Sequence, residues 1–481
     1  MTKYITVIGL EVHAELKTKS KAFCSCSTEF GSEPNTHVCP VCLGMPGALP
    51  VLNKRVVEFA IRAGLALDCD IQKFNKFDRK NYFYPDLSKN YQISQFDQPI
   101  CLGGHIDIHV ADAQPKRIGI TRIHMEEDAG KLVHSGATIK TSDSSAVDYN
   151  RAGVPLIEIV SEPDMRGAAE ARAYLEKLKA ILEYTEVCDC KMQEGSLRCD
   201  ANISVMPEGA TEFGTRAEIK NLNSFRALER AIEYEVERQI ELIEDGGTVV
   251  QETRTWDDAK NLTLSMRSKE EAHDYRYFPE PDLVPVELST AWINEVRASL
   301  PELPAARQTR LMQEKGLSAY DAENIVATKA MAQYFDEAAA HTTDAKAVAN
   351  WLLGEVSAYL NNAALTIEQF PVTPGNLGEL VNLINQGVLS SKLAKKVFVE
   401  MVKDNQAPQA LVKALGLEQV SDEGAILAIV EETLAENPQS IVDFKAGKDR
   451  ALGFLVGQIM KKSRGKANPA MVNKMLLEKM H

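Results

Sequence analysis

The 481-residue chain has no run of apolar residues long enough to span a bilayer, and its first residues lack the layout of a signal peptide. We therefore expect a cytoplasmic protein without a membrane partner. The nine cysteines are an odd number and four lie in one short segment, which favours reduced thiols and a metal site over a disulfide framework. The sequence also lacks a Walker-type phosphate loop, so any nucleotide site must be of another kind.

The sequence also has no overall excess of basic residues. The net charge of -14 argues against a protein that coats nucleic acid indiscriminately, although local basic patches could still bind RNA. The length is too great for a single core and suggests about three domains.

Residues 8–16 alternate strictly between apolar and polar side chains, which predicts a β-strand whose polar face carries Glu11, His13 and Glu15. Residues two apart on a strand lie roughly 6–7 Å apart, so Glu11 and His13 could hold one ion or phosphate between them. A solvated strand of an antiparallel sheet shows the same alternation, so both interpretations stand at this point.

Two pairs of cysteines, Cys24 with Cys26 and Cys39 with Cys42, frame a short loop. Paired thiols at both ends of a loop are typical of tetrahedral zinc, so we predict a structural Zn²⁺ site at residues 24–42. Four protein ligands would leave no coordination position open to a substrate. The alternative is a loop with four free cysteines.

Basic and aromatic residues interleave between residues 73 and 96, where the cations include Arg79, Lys80 and Lys89. Cations bind phosphates and aromatic rings stack on bases, so this segment is a candidate contact for a nucleotide or RNA. A core sheet with lysines whose stems lie along its surface would have a similar sequence.

Two further segments bring polar residues into apolar surroundings. The alternation over residues 117–127, with a one-residue slip that suggests a β-bulge, would place Arg122, His124 and Glu126 on one face. Glu158 lies within an apolar run, where an ionised carboxylate is costly unless a positive group meets it. A metal ion or Arg151 would supply that charge.

The first part of the chain is therefore predicted to be α+β, with helices near residues 53–67, 168–184 and 224–243. Prolines between residues 279 and 304 mark a shift to helical segments, predicted at 319–335, 345–361, 376–386 and 390–402. A second break follows at residues 404–408. We expect three domains, a β-rich one at 1–292, an all-helical one at 293–405 and a small helical tail at 406–481.

The tail reverses the overall charge of the chain. Between Lys445 and Lys466, seven basic residues stand against one acidic residue, and they include Lys461, Lys462 and Arg464. Such a patch is the electrostatic signature of a phosphate-backbone contact, although a solvated helix face could show the same charges.

Nine segments resemble those of the B subunits of aspartyl/glutamyl-tRNA(Asn/Gln) amidotransferases, and the resemblance extends from about residue 3 to the C-terminus. They are Val-Ile-Gly-Leu-Glu-Val-His at 7–13, Phe-Asp-Arg-Lys-Asn-Tyr-Phe-Tyr-Pro at 77–85, Tyr-Gln-Ile-Ser-Gln-Phe at 91–96, His-Met-Glu-Glu-Asp at 124–128, Pro-Leu-Ile-Glu-Ile-Val-Ser-Glu-Pro at 155–163, Glu-Gly-Ser-Leu-Arg-Cys-Asp at 194–200, Lys-Asn-Leu-Asn-Ser at 220–224, Asp-Tyr-Arg-Tyr-Phe-Pro-Glu-Pro at 274–281 and Gly-Phe-Leu-Val-Gly-Gln at 453–458. Several of these segments are long enough to be highly specific.

The resemblance implies a cradle-shaped N-terminal domain, a helical domain and a tRNA-binding tail, in a heterotrimer with an amidase A subunit and a small C subunit. The A subunit would release ammonia from glutamine. The B subunit would use ATP to phosphorylate the side-chain carboxylate of glutamate or aspartate mischarged on tRNA, and ammonia would displace the phosphate. The assembly would be a ligase that forms a carbon–nitrogen bond with glutamine as amido donor, yielding Gln-tRNA(Gln) or Asn-tRNA(Asn).

By the same resemblance, catalytic residues and a Mg²⁺ site are expected at Glu11, His13, Glu126 and Glu158. Because Mg²⁺ prefers oxygen ligands, His13 could act through water instead of binding directly. The remaining expected contacts are those of ATP or the tRNA acceptor end with Arg79, Lys80 and Lys89, and those of tRNA with Lys461, Lys462, Arg464 and Lys466.

Neither a Gly-Ser-rich amidase signature nor an obvious Cys/His glutaminase arrangement occurs, so the chain alone should not hydrolyse glutamine. Two other functions compete with transamidation, a noncatalytic tRNA-binding scaffold and a stand-alone metal hydrolase. A scaffold gives no reason to bury Glu158, whereas a hydrolase leaves the basic tail unexplained.

Overall fold

The computed structural model describes residues 3–110, 113–135, 143–268, 274–417, 423–445, 450–463, 467 and 469–480. The chain forms two compact units, Met1–Pro304 and Ala305–His481. In the part of the chain that is described, no helix combines the length and the apolar character needed to cross a membrane. Among the described residues, the first unit combines a large sheet with four helices and the second is helical, so the α+β prediction is confirmed.

The strands of the first unit are β1 Tyr4–Glu15, β2 Asp70–Ile71, β3 Phe74–Asn75, β4 Asp78–Asn81, β5 Tyr91–Ser94, β6 Cys101–Leu102, β7 His105–Ile108, β8 Lys116–Glu127, β9 Lys131–His134, β10 Ser145–Asp148, β11 Pro155–Ser161, β12 Leu197–Pro207, β13 Ala217–Lys220, β14 Glu252–Asp257, β15 Leu262–Ser268, β16 Phe278–Pro279 and β17 Val286–Glu287. Its helices are α1 Lys54–Ala66, α2 Ala168–Tyr184, α3 Phe225–Glu244 and α4 Thr290–Ala298.

Strand β1 lies inside the main sheet, whose described strands run in the order β15-β14-β13-β12-β1-β11-β8-β5-β4-β16. Its even-numbered residues from Ile8 to Ala14 are at most 1% exposed and face the core, as the alternation predicts. The odd-numbered residues face the opposite side. Because β1 pairs antiparallel with both β11 and β12, its polar face continues onto the polar faces of both neighbours.

Helices α1, α2 and α3 begin and end close to the predicted positions. Asn53 caps α1 by accepting a hydrogen bond from the Arg55 backbone N–H, and Ser224 caps α3 in the same way through Ala227. Helix α2 has the predicted bounds. Helix α3 packs against α2 and β12, so one face of the sheet is covered and the other is left for polar residues.

The helices of the second unit are α5 Pro304–Lys315, α6 Ala319–Val326, α7 Lys329–Ala340, α8 Ala345–Trp351, α9 Ser357–Ala363, α10 Pro374–Asn385, α11 Ser391–Asp404, α12 Pro408–Ala414, α13 Glu423–Glu436, α14 Pro438–Lys445, α15 Arg450–Lys462 and α16 Pro469–Met480. The predicted single helix over residues 319–335 is wrong. Thr328 has extended backbone and its side chain accepts from the Met331 N–H, so it starts a new helix. A π-helical turn, Leu352–Val356, joins α8 to α9.

An apolar cluster of its own holds the last helices together. Ile426 and Val430 of α13 pack with Leu455 and Ile459 of α15 and with Leu476 of α16. The division of the chain at residues 292 and 405 into three domains stays a prediction.

A buried carboxylate ties α3 to the strands beneath it. Glu235 is fully buried and accepts hydrogen bonds from Arg238 at 2.6 and 2.9 Å and from the Thr263 hydroxyl of β15 at 2.9 Å. Gln239 links it to the Ile203 carbonyl of β12. An arginine of β14, Arg254, lies 3.4 Å from the same carboxylate.

We expect Glu235→Ala to lower the free energy of unfolding by about 1–3 kcal/mol, because the partly buried Arg238 and the buried Thr263 hydroxyl lose their hydrogen-bond acceptor. Urea titration followed by circular dichroism measures the change. Glu237→Ala, an exposed glutamate of the same helix, should cost no more than about 0.5 kcal/mol. Equal losses in both variants would contradict this account.

Candidate functional site

The register of four adjacent strands places polar residues in one row across the sheet. His13 of β1 pairs with Glu158 of β11, and Glu158 pairs in turn with His124 of β8. On the other side of β1, His13 pairs with Arg198 of β12. Directly opposed residues on one face have Cβ atoms about 4.5–5.5 Å apart, so these side chains meet.

A shift in register next to this row explains the predicted bulge. Val160 pairs with Arg122 and Ser161 pairs with Ile120, so Thr121 is the extra residue of β8. Beyond the shift, His124 and Glu126 share the face of Glu158. The positions of His124 and Glu126 therefore depend both on the alternation of side chains along β8 and on the bulge at Thr121.

Five side chains converge and are named here the Glu/His cluster: Glu11, His13, His124, Glu126 and Glu158. The Nε2 atom of His13 lies 3.3 Å from Glu158 Oε2 and 3.5 Å from Glu126 Oε1. The Nε2 atom of His124 lies 3.3 Å from Glu158 Oε2 and 3.7 Å from Glu126 Oε2. Glu11, His13 and Glu158 can each place a ligand atom within 4.8 Å of the others, as can His124, Glu126 and Glu158.

Burial makes the charges of this cluster depend on one another. Burial, with the nearby Glu158 carboxylate, raises the pKa of Glu11 to about 7. Burial alone would raise the pKa of Glu158, but His124 and His13 hold it well below the ordinary value. Burial opposes charge on His124, yet Glu158 and Glu126 raise its pKa to about 9. Two protonated imidazoles can thus neutralise the carboxylates in place of a metal ion.

Three cationic side chains surround the cluster. Lys80 faces it, since the charges of Glu126 and Glu158 raise the pKa of its ammonium despite burial. Lys220 pairs with Asp200, the cross-strand partner of Glu11, and Arg198 binds Asp128 at 2.8 Å. Arg198 and Lys220 are thus balanced by carboxylates of their own, and Lys80 is the one of these three cations that has no ion-pair partner among the described residues.

The residues fit a hard divalent cation. Glu158 belongs to one group of possible metal ligands with Glu11 and to a second group with Glu126. These carboxylates supply the oxygen ligands that Mg²⁺ prefers, while waters and substrate oxygens usually complete its coordination. Imidazole is a less usual ligand for Mg²⁺, so the two histidines suit a role in positioning the carboxylates through the contacts above.

The structure brings together Glu11, His13, Glu126 and Glu158, the four residues set apart by the sequence. The prediction that Arg151 could supply the counter-charge of Glu158 is wrong. Arg151 instead binds Asp128 and the Ala129 and Gly130 carbonyls. His124 takes that place and was missed as a member of the cluster. In the sequence, His124 lies two residues before Glu126 and therefore shares its strand face. This position identifies His124 as a member of the cluster only when the pairing of β8 with β11 is known.

The three predicted cations of residues 73–96 differ in their surroundings. Arg79 binds Glu280 through two hydrogen bonds of 2.8 Å, and Lys89 pairs with Glu127. Lys80 forms no ion pair in the described ranges and lies 4.9 Å from the centroid of the Tyr275 ring. Their assignment to ATP or the acceptor end stays a prediction.

The four cysteines of the predicted zinc loop also converge, with all Sγ atoms within 4.8 Å of one another. The Cys39 and Cys42 Sγ atoms are 3.9 Å apart, and a tetrahedral zinc with 2.3 Å bonds places its sulfurs about 3.8 Å apart. A hydrogen bond with Cys24 lowers the pKa of Cys42 to about 4, so one thiolate is available to a metal. The residues fit Zn²⁺.

The basic residues of the tail are described only in part. Lys461 is exposed at the end of α15, whereas Lys462 pairs with Glu432 at 3.1 Å and with Glu436 at 2.7 Å. Arg464 and Lys466 lie outside the described residues.

Comparison with known proteins covers almost the whole chain. A family model described as the GatB/GatE catalytic domain matches residues 6–294, and one described as the GatB domain matches residues 333–480. The B subunit of the aspartyl/glutamyl-tRNA(Asn/Gln) amidotransferase of Carboxydothermus hydrogenoformans is 58% identical over 480 residues, covering 100% of this chain and 99% of the relative. The proteins of the same name from Moorella thermoacetica and Brevibacillus brevis are 59% and 58% identical over 478 residues, covering 99% of this chain and 100% and 99% of the relatives.

We expect the full chain to contain about one zinc ion and Cys42→Ser to lose it, because a tetrahedral site needs all four thiolates. Elemental analysis by mass spectrometry measures the metal. Cys69→Ala, a change at a cysteine outside the loop, should retain the ion. Zinc-free wild type, or zinc retained in Cys42→Ser, would refute the site.

Proposed function

Because the chain belongs to the family of aspartyl/glutamyl-tRNA(Asn/Gln) amidotransferase B subunits, we propose that it carries out the ATP-dependent step of tRNA-dependent transamidation. The substrates would be Glu-tRNA(Gln), Asp-tRNA(Asn) or both. The observation that supports this proposal is that Glu158 lies in two groups of possible metal ligands on one sheet face, one with Glu11 and His13 and the other with Glu126 and His124. The family relationship confirms the resemblance noted in the sequence.

In the proposed reaction, an oxygen of the side-chain carboxylate on tRNA attacks the γ-phosphorus of ATP, and ADP leaves. Ammonia then attacks the acyl phosphate carbon, loses a proton, and inorganic phosphate departs to leave the amide. A carboxylate is a poor acyl donor, so activation must precede amide formation. Magnesium held by Glu11, Glu126 and Glu158 would neutralise the charge that develops on the transferring phosphoryl group.

The chain's own residues have separate tasks in this scheme. His13 and His124 contact both Glu126 and Glu158 and hold the carboxylates in position. Lys80 presents a positive charge to the same face, where it would attract the phosphate and the substrate carboxylate. Glu126 and Glu158 are 3% and 7% exposed, and a site this shielded limits attack of water on the acyl phosphate.

We further propose that ammonia is delivered by a partner amidase, since the sequence has no amidase or glutaminase signature of its own. The assembly would be a heterotrimer with amidase A and small C subunits, and it would act in the cytoplasm. The tail, with Lys461, Lys462, Arg464 and Lys466, would bind the tRNA backbone.

We predict that Glu158→Gln and Glu11→Gln each reduce amide formation roughly 100-fold or more, because loss of one preorganised charge at a phosphoryl-transfer site costs that much. Product is measured on mischarged tRNA with the purified heterotrimer, ATP and ammonium in place of glutamine, which bypasses the amidase. Glu208→Gln, in the turn directly after β12 and outside the cluster, is the control.

Full activity in both Glu158→Gln and Glu11→Gln would contradict a catalytic role of the cluster. That result would favour a noncatalytic tRNA-binding scaffold. His124→Ala should also lower the rate, since Glu158 would lose one of its two imidazole partners.

Truncation after Pro408 should weaken tRNA binding by roughly tenfold or more and flatten its salt dependence, because phosphate contacts are lost. Filter binding at several salt concentrations measures both effects. Lys461→Ala should weaken binding more than Lys462→Ala, because Lys462 is already paired with two glutamates. Equal tRNA affinity with and without the tail would contradict the proposal.

A further inference from the structure

The ammonium group of Lys21 is buried without a carboxylate partner. Lys21 lies in the segment between β1 and α1 and is 0% exposed. Its Nζ donates hydrogen bonds to the His37 carbonyl at 2.7 Å and to the Tyr149 carbonyl at 3.2 Å. Among the described residues Lys21 forms no ion pair, although a buried ammonium without an opposite charge costs much free energy. A further negative charge is therefore expected close to it.

The carboxylate that borders the same cavity as Lys21 already has a cationic partner. This cavity of about 90 Å³ has Lys21, Lys89, Glu127, Cys24 and Cys42 in its lining. Glu127 forms an ion pair with Lys89 and accepts a hydrogen bond from the Ile93 backbone N–H at 3.0 Å. Two ammonium groups thus face one carboxylate. The thiols of Cys24 and Cys42 can balance the second ammonium, because a thiol that coordinates a metal is deprotonated.

Lys21 contacts both cysteine pairs of the predicted zinc loop through its main chain and its side chain. Its backbone N–H donates to the carbonyl of Cys26 at 3.0 Å, in the first pair. Its ammonium binds the carbonyl of His37, which lies two residues before Cys39 of the second pair. One residue therefore joins the two ends of a loop whose four sulfur atoms converge.

The segment at residues 149–154, which leads into β11, packs against the same side chain. The Tyr149 carbonyl accepts a hydrogen bond from Lys21 Nζ. A methyl group at Gly153 would lie 3.5 Å from Lys21 Cδ and 3.7 Å from Cys42 Cβ, so Gly153 packs beside both residues. Lys21 thus connects the zinc loop to the segment before the strand that carries Glu158.

We propose that Lys21 is the counter-ion of the zinc–thiolate cluster formed by Cys24, Cys26, Cys39 and Cys42. Zinc with four thiolates leaves two negative charges in excess, and a buried ammonium nearby offsets one of them. The metal site and Lys21 then stabilise each other. The inference rests on the zinc site predicted above and does not depend on the transamidation reaction.

The first test compares the zinc affinity of the full-length wild type with that of Lys21→Met, by competition with a chromogenic chelator. Methionine keeps an unbranched apolar side chain and removes the charge. The loss of a group that supports the metal ligands predicts a zinc affinity roughly 10–100-fold lower. Lys19→Met is the matched control, because Lys19 is exposed two residues away, and its zinc affinity should change by no more than about twofold.

Urea unfolding with saturating zinc and with a chelator separates charge compensation from a purely structural role of Lys21. With zinc, Lys21→Met should unfold at a lower urea concentration than wild type. Without zinc, it should unfold at the same or a higher concentration, because the ammonium of the wild type then lacks its counter-charge. If Lys21 served only to bind carbonyls, the variant would lose the same stability in both states, and that result would overturn the proposal.

Two further variants keep the test decisive if Lys21→Met does not fold. Lys21→Arg retains the charge, whereas Lys21→Gln retains N–H donors for the carbonyls and removes the charge. We expect Lys21→Arg to bind zinc roughly tenfold or more tightly than Lys21→Gln, and equal affinities would contradict the proposal. A zinc-free wild type would overturn it together with the zinc prediction. Zinc-loaded wild type with unchanged affinity in Lys21→Met would overturn this proposal alone.

Discussion

The pairing of β1 with its two neighbours is the constraint on which the site depends. His13 faces Glu158, and Glu158 faces His124, only because β1, β11 and β8 are aligned in one register. A slip of one residue on any of these strands would turn its polar residues into the core and its apolar residues to the solvent. The apolar face, with Ile8, Leu10 and Val12 nearly inaccessible, therefore selects the register, and the chemistry of the opposite face follows from it.

Burying the carboxylates of the Glu/His cluster costs free energy, and positive charges close to them compensate for that cost. Carboxylates as shielded as Glu126 and Glu158 lose hydration that opposite charges must replace. His13, His124 and Lys80 supply those charges from three different strands. Apolar residues of the same volume would fold as well or better, so function is the simplest reason for a Glu/His cluster at this place. Protons on the imidazoles and a divalent cation are alternative ways to balance the same carboxylates.

Sequence patterns predicted those features of the structure that depend only on residues close together in the chain. Alternation predicted the buried and polar faces of β1, side-chain capping predicted the starts of α1 and α3, and thiol spacing predicted which four cysteines would meet. The pairing of strands that are far apart in the chain could not be predicted from such local patterns. The choice of His124 over Arg151 as the partner of Glu158 depends on how β8 aligns with β11. The Thr328 break was missed because the apolar periodicity of residues 319–335 continues through it.

The central claim is that one divalent ion is held by carboxylates from β1, β8 and β11. Crystals of the heterotrimer grown with Mn²⁺ in place of Mg²⁺ and an unreactive ATP analogue test it most directly, through the anomalous signal of manganese. We expect one manganese peak about 2.0–2.3 Å from carboxylate oxygens of all three strands, those of Glu11, Glu126 and Glu158. An ordered cluster with no peak, or with manganese bound only elsewhere in the chain, would contradict it.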